Sequence, residues 1–247
     1  MEPVRLLAVA ASLALGACAA HVAPVPQPIE RFVSSIDPGG PGPHAAAILV
    51  PGCEGVGPHV AFAAGRLASE GFVVLTLDYP AAYGLDGGCD RVPVEAIGDD
   101  IARMAAVLRR EANVDPARLH LVGWAEGGAG IMAALGDPTR AERIAARSAA
   151  AFYPSCRQLG TWRIDIPFLL LLADRESGTS PLDCVALTGR SPGADRVLAI
   201  RYGSATNRFD VETPRRFWEW NAGRFDAAIR DAAFNDLLSF LGVPKAP

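Results

Sequence analysis

The segment from His120 to Gly128 constrains the fold of this chain more than any other segment. An apolar stretch runs into the sequence Gly-Trp-Ala-Glu-Gly-Gly, in which Ala125 has a glycine two residues before it and another two residues after it. This spacing predicts a sharp turn from a strand into a helix, because larger side chains would not fit at the two glycines. Such turns hold a catalytic nucleophile at their centre, and the methyl group of Ala125 cannot attack a carbonyl carbon. The segment therefore predicts the backbone of a nucleophile-bearing turn without its nucleophile.

Apolar runs bounded by turn residues recur on both sides of this segment. Residues 45–50, 72–77 and 168–172 are almost entirely apolar, as expected of parallel strands that are covered on both faces. Residues 94–110 instead carry apolar side chains at helical spacing. Strands that alternate with helices predict an α/β fold, with a doubly wound, mostly parallel sheet in a single domain. Neither glycine-rich phosphate-binding motif is present in the sequence, so we expect no nucleotide cofactor.

The first 43 residues predict export. Residues 6–15 form an apolar run after Arg5, which has the length of a signal-peptide core and is too short to span a bilayer. Cys18 follows Leu-Gly-Ala, a pattern that resembles a bacterial lipobox, in which Cys18 would become the acylated first residue. Ordinary cleavage, which would release a soluble periplasmic or secreted protein, is the alternative. The predicted organisation is a lipoprotein-type signal peptide over 1–17, a Pro-rich tether over 18–43 and an α/β domain over 44–247.

The mature chain resembles the dienelactone hydrolase branch of the α/β hydrolases over nearly its whole length. The matching motifs are Gly52-Cys53-Glu54-Gly55, Gly123-Trp124 with Glu126-Gly127-Gly128, Phe152-Tyr153-Pro154 with Cys156, Leu169 to Leu172, Tyr202 with Phe209-Asp210, and the helix from Asn221 to Leu241. The resemblance implies the α/β-hydrolase fold and hydrolysis of esters or lactones. It also implies an oxyanion hole that is formed by the backbone N–H groups near Cys53 and Glu126.

The catalytic positions depart from that family pattern. The family has serine or cysteine where this chain has Ala125, and its histidine falls at the position of Asn207. Asparagine can form hydrogen bonds but cannot act as a general base. The acid of the family falls at the register of Glu176, and glutamate can serve in such triads. The resemblance therefore implies a degenerate triad at Ala125, Glu176 and Asn207.

The four histidines of the chain all precede Ala125, whereas histidine is the last member of the triad in this fold. No shift of register can therefore supply the base that Asn207 lacks. We expect His59, at the start of a helix, to lie on the surface, with a role in the site as the alternative. We expect His120, inside a strand, to be a hydrogen-bonded core residue. No histidines, cysteines or carboxylates have metal-ligand spacing, so we expect no metal and no other cofactor.

Export changes the interpretation of the cysteines that follow the signal peptide. An even number of cysteines in an oxidising compartment predicts two disulfide bonds, and spacing alone leaves three pairings open. In the family that this chain resembles, the strands before the first two of these cysteines are neighbours, and so are the strands before the last two. The resemblance therefore implies the pairs Cys53–Cys89 and Cys156–Cys184 around the mouth of the site.

These observations favour a membrane-tethered member of the family that lacks nucleophile and base and binds a small molecule or an envelope partner. Ala19 after the cysteine resembles lipoproteins of the outer membrane, so we expect an anchor there, with the domain facing the periplasm. A net charge of −4 and scattered basic residues exclude a footprint for nucleic acid. One alternative is a divergent ester or lactone hydrolase with a displaced nucleophile, or with water activated by Asp174, Glu176 or Asp183. A purely structural lipoprotein with a filled pocket is the third hypothesis.

Overall fold

The computed structural model of this protein describes residues 27–85, 92–160, 162–175, 180–212 and 223–243. The strands are β1 (Val33–Ile36), β2 (His44–Val50), β3 (Phe72–Leu77), β4 (Val114–Trp124), β5 (Ser148–Phe152), β6 (Phe168–Arg175) and β7 (Val197–Thr206). The helices are α1 (Pro58–Ser69), α2 (Tyr79–Ala82), α3 (Val94–Leu108), α4 (Ala125–Gly136), α5 (Pro138–Ile144), α6 (Pro181–Gly189) and α7 (Ala227–Phe240). The predicted signal peptide, with Cys18 as its lipidation site, lies outside the described residues.

The described strands form one seven-stranded sheet in the order β1-β3-β2-β4-β5-β6-β7. Strand β1 is antiparallel to β3, and every other neighbouring pair is parallel. The predicted α/β class with a mostly parallel sheet is confirmed. Strand β4 is central, and Ala125 directly follows its carboxyl end. Ligand sites of open α/β sheets lie at the carboxyl ends of the strands.

Both faces of the sheet are buried, which explains why its central strands are apolar throughout. In β2, Ala46, Ile48 and Val50 face the layer that contains α3, α4, α5 and α6. The alternate residues Ala45, Ala47 and Leu49 face the layer of α1 and α7. A period of two with both faces apolar therefore yields a continuous hydrophobic run.

The packed domain extends towards the N-terminus into the segment that we predict as a tether. Residues 33–36 pair with β3, and the side chain of Ile29 is 1% exposed in the hydrophobic core. Ile29 and residues 33–36 belong to a Pro-rich stretch whose composition indicates little burial. They are nevertheless ordered, because residues 33–36 hydrogen-bond to the side of β3 that β2 leaves unpaired. Within the described ranges, no helix is both long enough and apolar enough to cross a membrane.

Candidate functional site

The turn between β4 and α4 is an elbow at Ala125. Strand β4 ends at Trp124, helix α4 begins at Ala125, and Ala125 has a φ of 45°, in the left-handed region. This conformation costs an L-residue of order 1–3 kcal/mol and persists only where the surrounding structure enforces it. The strained residue sits at the position where the sequence predicts the nucleophile-bearing turn.

Close backbone contacts at Gly127 and Gly123 hold the elbow in this conformation. A methyl group on Gly127 would overlap the carbonyl oxygens of Val50, which ends β2, and of Pro51, which follows it. A methyl group on Gly123 would lie 2.7 Å from the backbone nitrogen of Gly128. Any residue larger than glycine at 123 or 127 would therefore push the first turn of α4 away from β2 and from its own strand.

The turn after β2, predicted as part of an oxyanion hole, lies directly against the elbow. A methyl group on Gly52 would lie 3.4 Å from Cβ of Ala125 and 3.8 Å from Oε2 of Glu126. The hydroxyl of Ser155 donates to Oε1 of Glu126 at 2.8 Å, and the Ser155 backbone N–H donates to the Ala125 carbonyl at 3.2 Å. A carboxylate therefore faces the space between the turn and the elbow, which the sequence motifs did not indicate.

Further negative charge lies on the same side of the elbow. The Asp78 carboxylate lies beside the turn after β2, where a methyl group on Gly55 would be 3.2 Å from its Oδ1. The adjacent Tyr79 is 1% exposed, and its hydroxyl has no hydrogen-bond partner among the described residues. Burial raises the pKa of Tyr79 above its usual value, and the charges of Glu126 and Asp78 raise it further. All the charges that act on this phenol are negative.

On the other side of the elbow, Asp210 anchors a buried hydrogen-bonded group. Nε1 of Trp124 donates to its Oδ2 at 2.8 Å, and the Tyr153 hydroxyl donates to its Oδ1 at 2.6 Å. The Trp124 ring stacks on Phe152, with 5.2 Å between the ring centroids. Asp210 therefore fixes the side chains of Trp124 and Tyr153, which pack beside the elbow.

His59 joins this group, so the prediction that it lies on the surface is wrong. Its side chain is buried, and its ring packs edge-on against Trp124 with 5.7 Å between centroids. The ring folds back over Gly57, where a methyl group would be 3.0 Å from Nδ1, so this glycine makes the burial possible. Burial lowers the pKa of His59, while Asp210 opposes and Arg208 reinforces the shift. Its Nδ1 has no hydrogen-bond partner within the described part of the chain.

The loop after β7 brings Asn207 and Arg208 to the site. Asn207 is buried and lines, together with Tyr153, a gap that has no room for a water molecule. Arg208 has a φ of 68°, and its guanidinium donates to the Glu54 carboxylate at 2.5 Å. This ion pair joins the loop after β7 to the turn after β2, two segments that are far apart in the sequence.

The other predicted candidates have separate positions. Asp174 pairs with Arg201, and Asp183 pairs with Arg157 at 3.3 Å, in ion pairs that are partly exposed. Glu176 lies outside the described residues. His120 is 4% exposed, and its Nδ1 lies 2.8 Å from the Ser148 hydroxyl, as expected of a hydrogen-bonded core residue. Among the described residues, no group of three or more His, Cys, Asp or Glu side chains could hold a metal ion.

One predicted disulfide bond is confirmed and joins loops near the site. Cys156, after β5, is bonded to Cys184 of α6, with 5.1 Å between their Cα atoms. Cys53 is also disulfide-bonded. Cys89, its predicted partner, lies outside the described residues.

Residues 37–183 of the chain, more than half of its length, match a family model described as PET hydrolase-like. No curated protein matches the sequence.

Solved structures of α/β hydrolases resemble this fold at low sequence identity. A candidate dienelactone hydrolase from Klebsiella pneumoniae is 17% identical, with a TM-score of 0.63 over 85% of this chain and 92% of that one. A serine hydrolase without a lid from Xanthomonas campestris is 14% identical, with a TM-score of 0.58 over 87% and 90% of the two chains. A butyrate-bound esterase from Thermogutta terrifontis is 15% identical, with a TM-score of 0.56 over 87% and 91%. These similarities show a shared fold.

Proposed function

This chain belongs to the PET hydrolase-like family, and from that membership we propose that it is a non-hydrolytic member whose elbow site binds a small molecule. The observation that carries the proposal is Ala125, which stands at the centre of the elbow, where covalent catalysis needs a hydroxyl or a thiol. In the Thermogutta terrifontis esterase the same fold holds butyrate, which supports a small molecule as the class of ligand. An envelope protein that docks on the same face is the other class of partner.

The charge at the elbow also supports binding without hydrolysis. Ester hydrolysis places negative charge on the carbonyl oxygen, and an oxyanion hole must stabilise that charge. In this site the Glu126 carboxylate faces the turn at Gly52, and Asp78 lies beside Gly55. A like charge within about 4–6 Å of a developing anion opposes its formation. The site therefore favours a neutral or cationic ligand over the transition state of ester hydrolysis.

The residue at the position predicted for the triad histidine supports the same function. Asn207 is buried in the loop after β7, and its amide cannot accept a proton at any accessible pH. An intact elbow without a nucleophile, together with a buried amide in place of the base, fits a site that recognises a ligand. We propose that Cys18 carries a lipid anchor and holds this site in the cell envelope, at the outer membrane.

A divergent hydrolase is the second candidate, and His59 is the observation that favours it. Its buried imidazole packs on Trp124 and experiences the charge of Asp210. A histidine with a lowered pKa is neutral at physiological pH and can take a proton from water. Such an enzyme would hydrolyse esters without a covalent intermediate, and its activity would depend on His59.

Restoring the triad tests the proposal. We expect the native chain to show no enzymatic turnover of p-nitrophenyl butyrate. The double variant Ala125→Ser with Asn207→His should hydrolyse it about 10²-fold or more above the uncatalysed rate, since a positioned base contributes roughly 10²–10⁴. Adding Glu126→Gln should increase the gain, because it removes a charge that opposes the oxyanion. The measurement is release of nitrophenol under initial-rate conditions.

The single substitutions Ala125→Ser and Asn207→His serve as matched controls, because each supplies one group without the other. Enzymatic turnover by the native chain that disappears in His59→Gln would overturn the proposal in favour of the second candidate. For the binding function, butyramide and butyrate differ only in charge and hydrogen-bond donors. We expect ligand-observed NMR to detect butyramide at the site, and preferential binding of butyrate would contradict the assigned charge preference.

A further inference from the structure

A cleft lies near the amino-terminal ends of the parallel strands, whereas the elbow lies at their carboxyl ends. It has a volume of about 1120 Å³ and opens between the last turns of α1 and α7 and the amino-terminal ends of the central strands. Phe72 begins β3, and Arg147 immediately precedes β5. His120 of β4 lines the cleft and Ala125 follows the carboxyl end of the same strand, so the cleft and the elbow are five residues apart along β4.

Three arginines line this cleft. Arg66 pairs with Glu70, and Arg118 pairs with Asp115 and donates to the Pro43 carbonyl. The third, Arg147, is exposed and forms no ion pair among the described residues. The cleft therefore contains one guanidinium whose charge is not offset by a neighbouring carboxylate.

The buried wall of the cleft experiences positive charge. His120 lines the cleft and is 4% exposed. Burial lowers the pKa of His120 to about 4, and Arg147 and Arg118 lower it further. Both charges that act on this imidazole are positive, so the region between the two arginines attracts anions.

The remaining wall of the cleft combines polar and apolar side chains. Glu70, Asn235 and Ser239 are its polar members. Phe72 and Leu238 are buried beneath it, and Leu241 and Val243, which follow α7, form its partly exposed apolar part. Guanidinium groups bind carboxylate and phosphate oxygens through paired hydrogen bonds. An adjacent apolar surface gains free energy when a hydrocarbon chain covers it.

We propose that this cleft binds an amphiphilic anion, with its carboxylate or phosphate head between Arg118 and Arg147 and its hydrocarbon chain along Leu241 and Val243. This site is separate from the elbow and does not depend on whether the elbow catalyses a reaction. The head group and the chain each contribute, so neither a short anion nor a neutral chain satisfies the cleft alone.

Calorimetric titration of the full chain with octanoate and octyl phosphate, both as monomers, tests the proposal. We expect measurable binding of at least one of them, and Arg147→Glu should weaken it about tenfold or more, because an attractive charge becomes a repulsive one. The two ligands distinguish a carboxylate head from a phosphate head. Arg110→Glu is the matched control, since Arg110 is also exposed but follows α3, in the layer on the other face of the sheet.

A second readout reports the position of the head group. An anion between Arg118 and Arg147 offsets the charges that act on His120, so the pKa of the imidazole should rise from about 4 when ligand is bound. NMR titration of the His120 ring measures this rise. Equal binding of 1-octanol, equal effects of Arg110→Glu and Arg147→Glu, or an unchanged His120 titration would each overturn the proposal.

Discussion

Ala125 keeps a conformation that glycine would adopt at lower free energy. At a φ of 45° its Cβ crowds the backbone, which costs an L-residue roughly 1–2 kcal/mol. Ala145, at the end of α5, has a φ of 49° and lies on the surface, away from the elbow. Within the described ranges, these two alanines share nearly the same positive φ, one at the elbow and one at the end of a helix.

Replacing either alanine with glycine should stabilise the protein. Glycine removes the steric cost at positive φ, and the greater entropy that it gives the unfolded chain offsets only part of this gain. We therefore expect Ala125→Gly and Ala145→Gly each to raise the free energy of unfolding by about 0.5–1 kcal/mol. Urea denaturation followed by circular dichroism measures both changes. If only Ala145→Gly stabilises, the methyl group of Ala125 contributes packing against the turn at Gly52 that outweighs its strain.

His120 should make the folded state sensitive to acid. Burial, followed by Arg147 and Arg118, lowers its pKa from 6.5 to about 4. The unfolded state therefore binds more protons between these values, and stability decreases as the pH falls from 6.5 and stops decreasing near 4. We expect this histidine to contribute a loss of about 3 kcal/mol over that range.

The variant His120→Gln isolates this contribution. Its free energy of unfolding should depend less on pH between 6.5 and 4 than that of the native chain. The difference in this free energy between the two proteins should therefore change as the pH falls from 6.5 to 4. Urea denaturation at a series of pH values measures the slope. Parallel pH profiles for the two proteins would show that His120 titrates alike in the folded and unfolded states.

At the scale of elements, the first turn of α4 and the turn after β2 depend on each other. Because Gly127 lies against the carbonyls of Val50 and Pro51, we expect Gly127→Ala to destabilise the protein by about 3 kcal/mol or more. Gly65→Ala is the matched control, since a methyl group there meets open space in α1 and should stabilise the helix by about 0.5–1 kcal/mol. Thermal melting of both variants checks the pair, and a native-like melting temperature for Gly127→Ala would contradict the close approach.

Elements that are specified by local pattern could be predicted from the sequence, and contacts between distant segments could not. The apolar run of 168–172 indicates a buried parallel strand, and glycine spacing around Ala125 indicates the elbow. The ion pair of Arg208 with Glu54 joins residues far apart in the chain, and no local pattern encodes it. His59 is buried because Gly57 has no side chain to block its ring and because Trp124 packs against it. The position of His59 at the start of a helix was therefore not enough to predict its burial.

At the scale of the whole molecule, the N-terminal end of the described chain lies at one edge of the sheet, where β1 pairs with β3. Because β1 is antiparallel to β3, the chain enters β1 at the carboxyl end of β3, where the Gln27 backbone N–H donates to the Ala82 carbonyl of α2. The described chain therefore begins at the end of the parallel strands that carries the elbow, and the arginine-lined cleft lies towards the other end. The proposed anchor would accordingly attach to the domain on the side of the elbow.

The variant Cys18→Ser tests the proposed lipid anchor. We expect the native chain, expressed in a bacterial host, to fractionate with membranes, because each buried methylene of an acyl chain contributes about 0.8 kcal/mol. The variant should appear in the soluble fraction or remain as an unprocessed precursor. Ala20→Ser is the matched control, since it leaves the cysteine in place. Soluble native protein of the mature size would indicate ordinary signal cleavage.

The elbow also has a practical consequence. Its shape is imposed by Gly123 and Gly127, and the side chain at position 125 contributes little to it. A cysteine placed at Ala125 would project from a rigid, predictable location beside the turn at Gly52. The other cysteines in the described chain, Cys53, Cys156 and Cys184, are disulfide-bonded. A fluorophore or spin label attached at 125 would therefore report directly on whatever molecule enters the site.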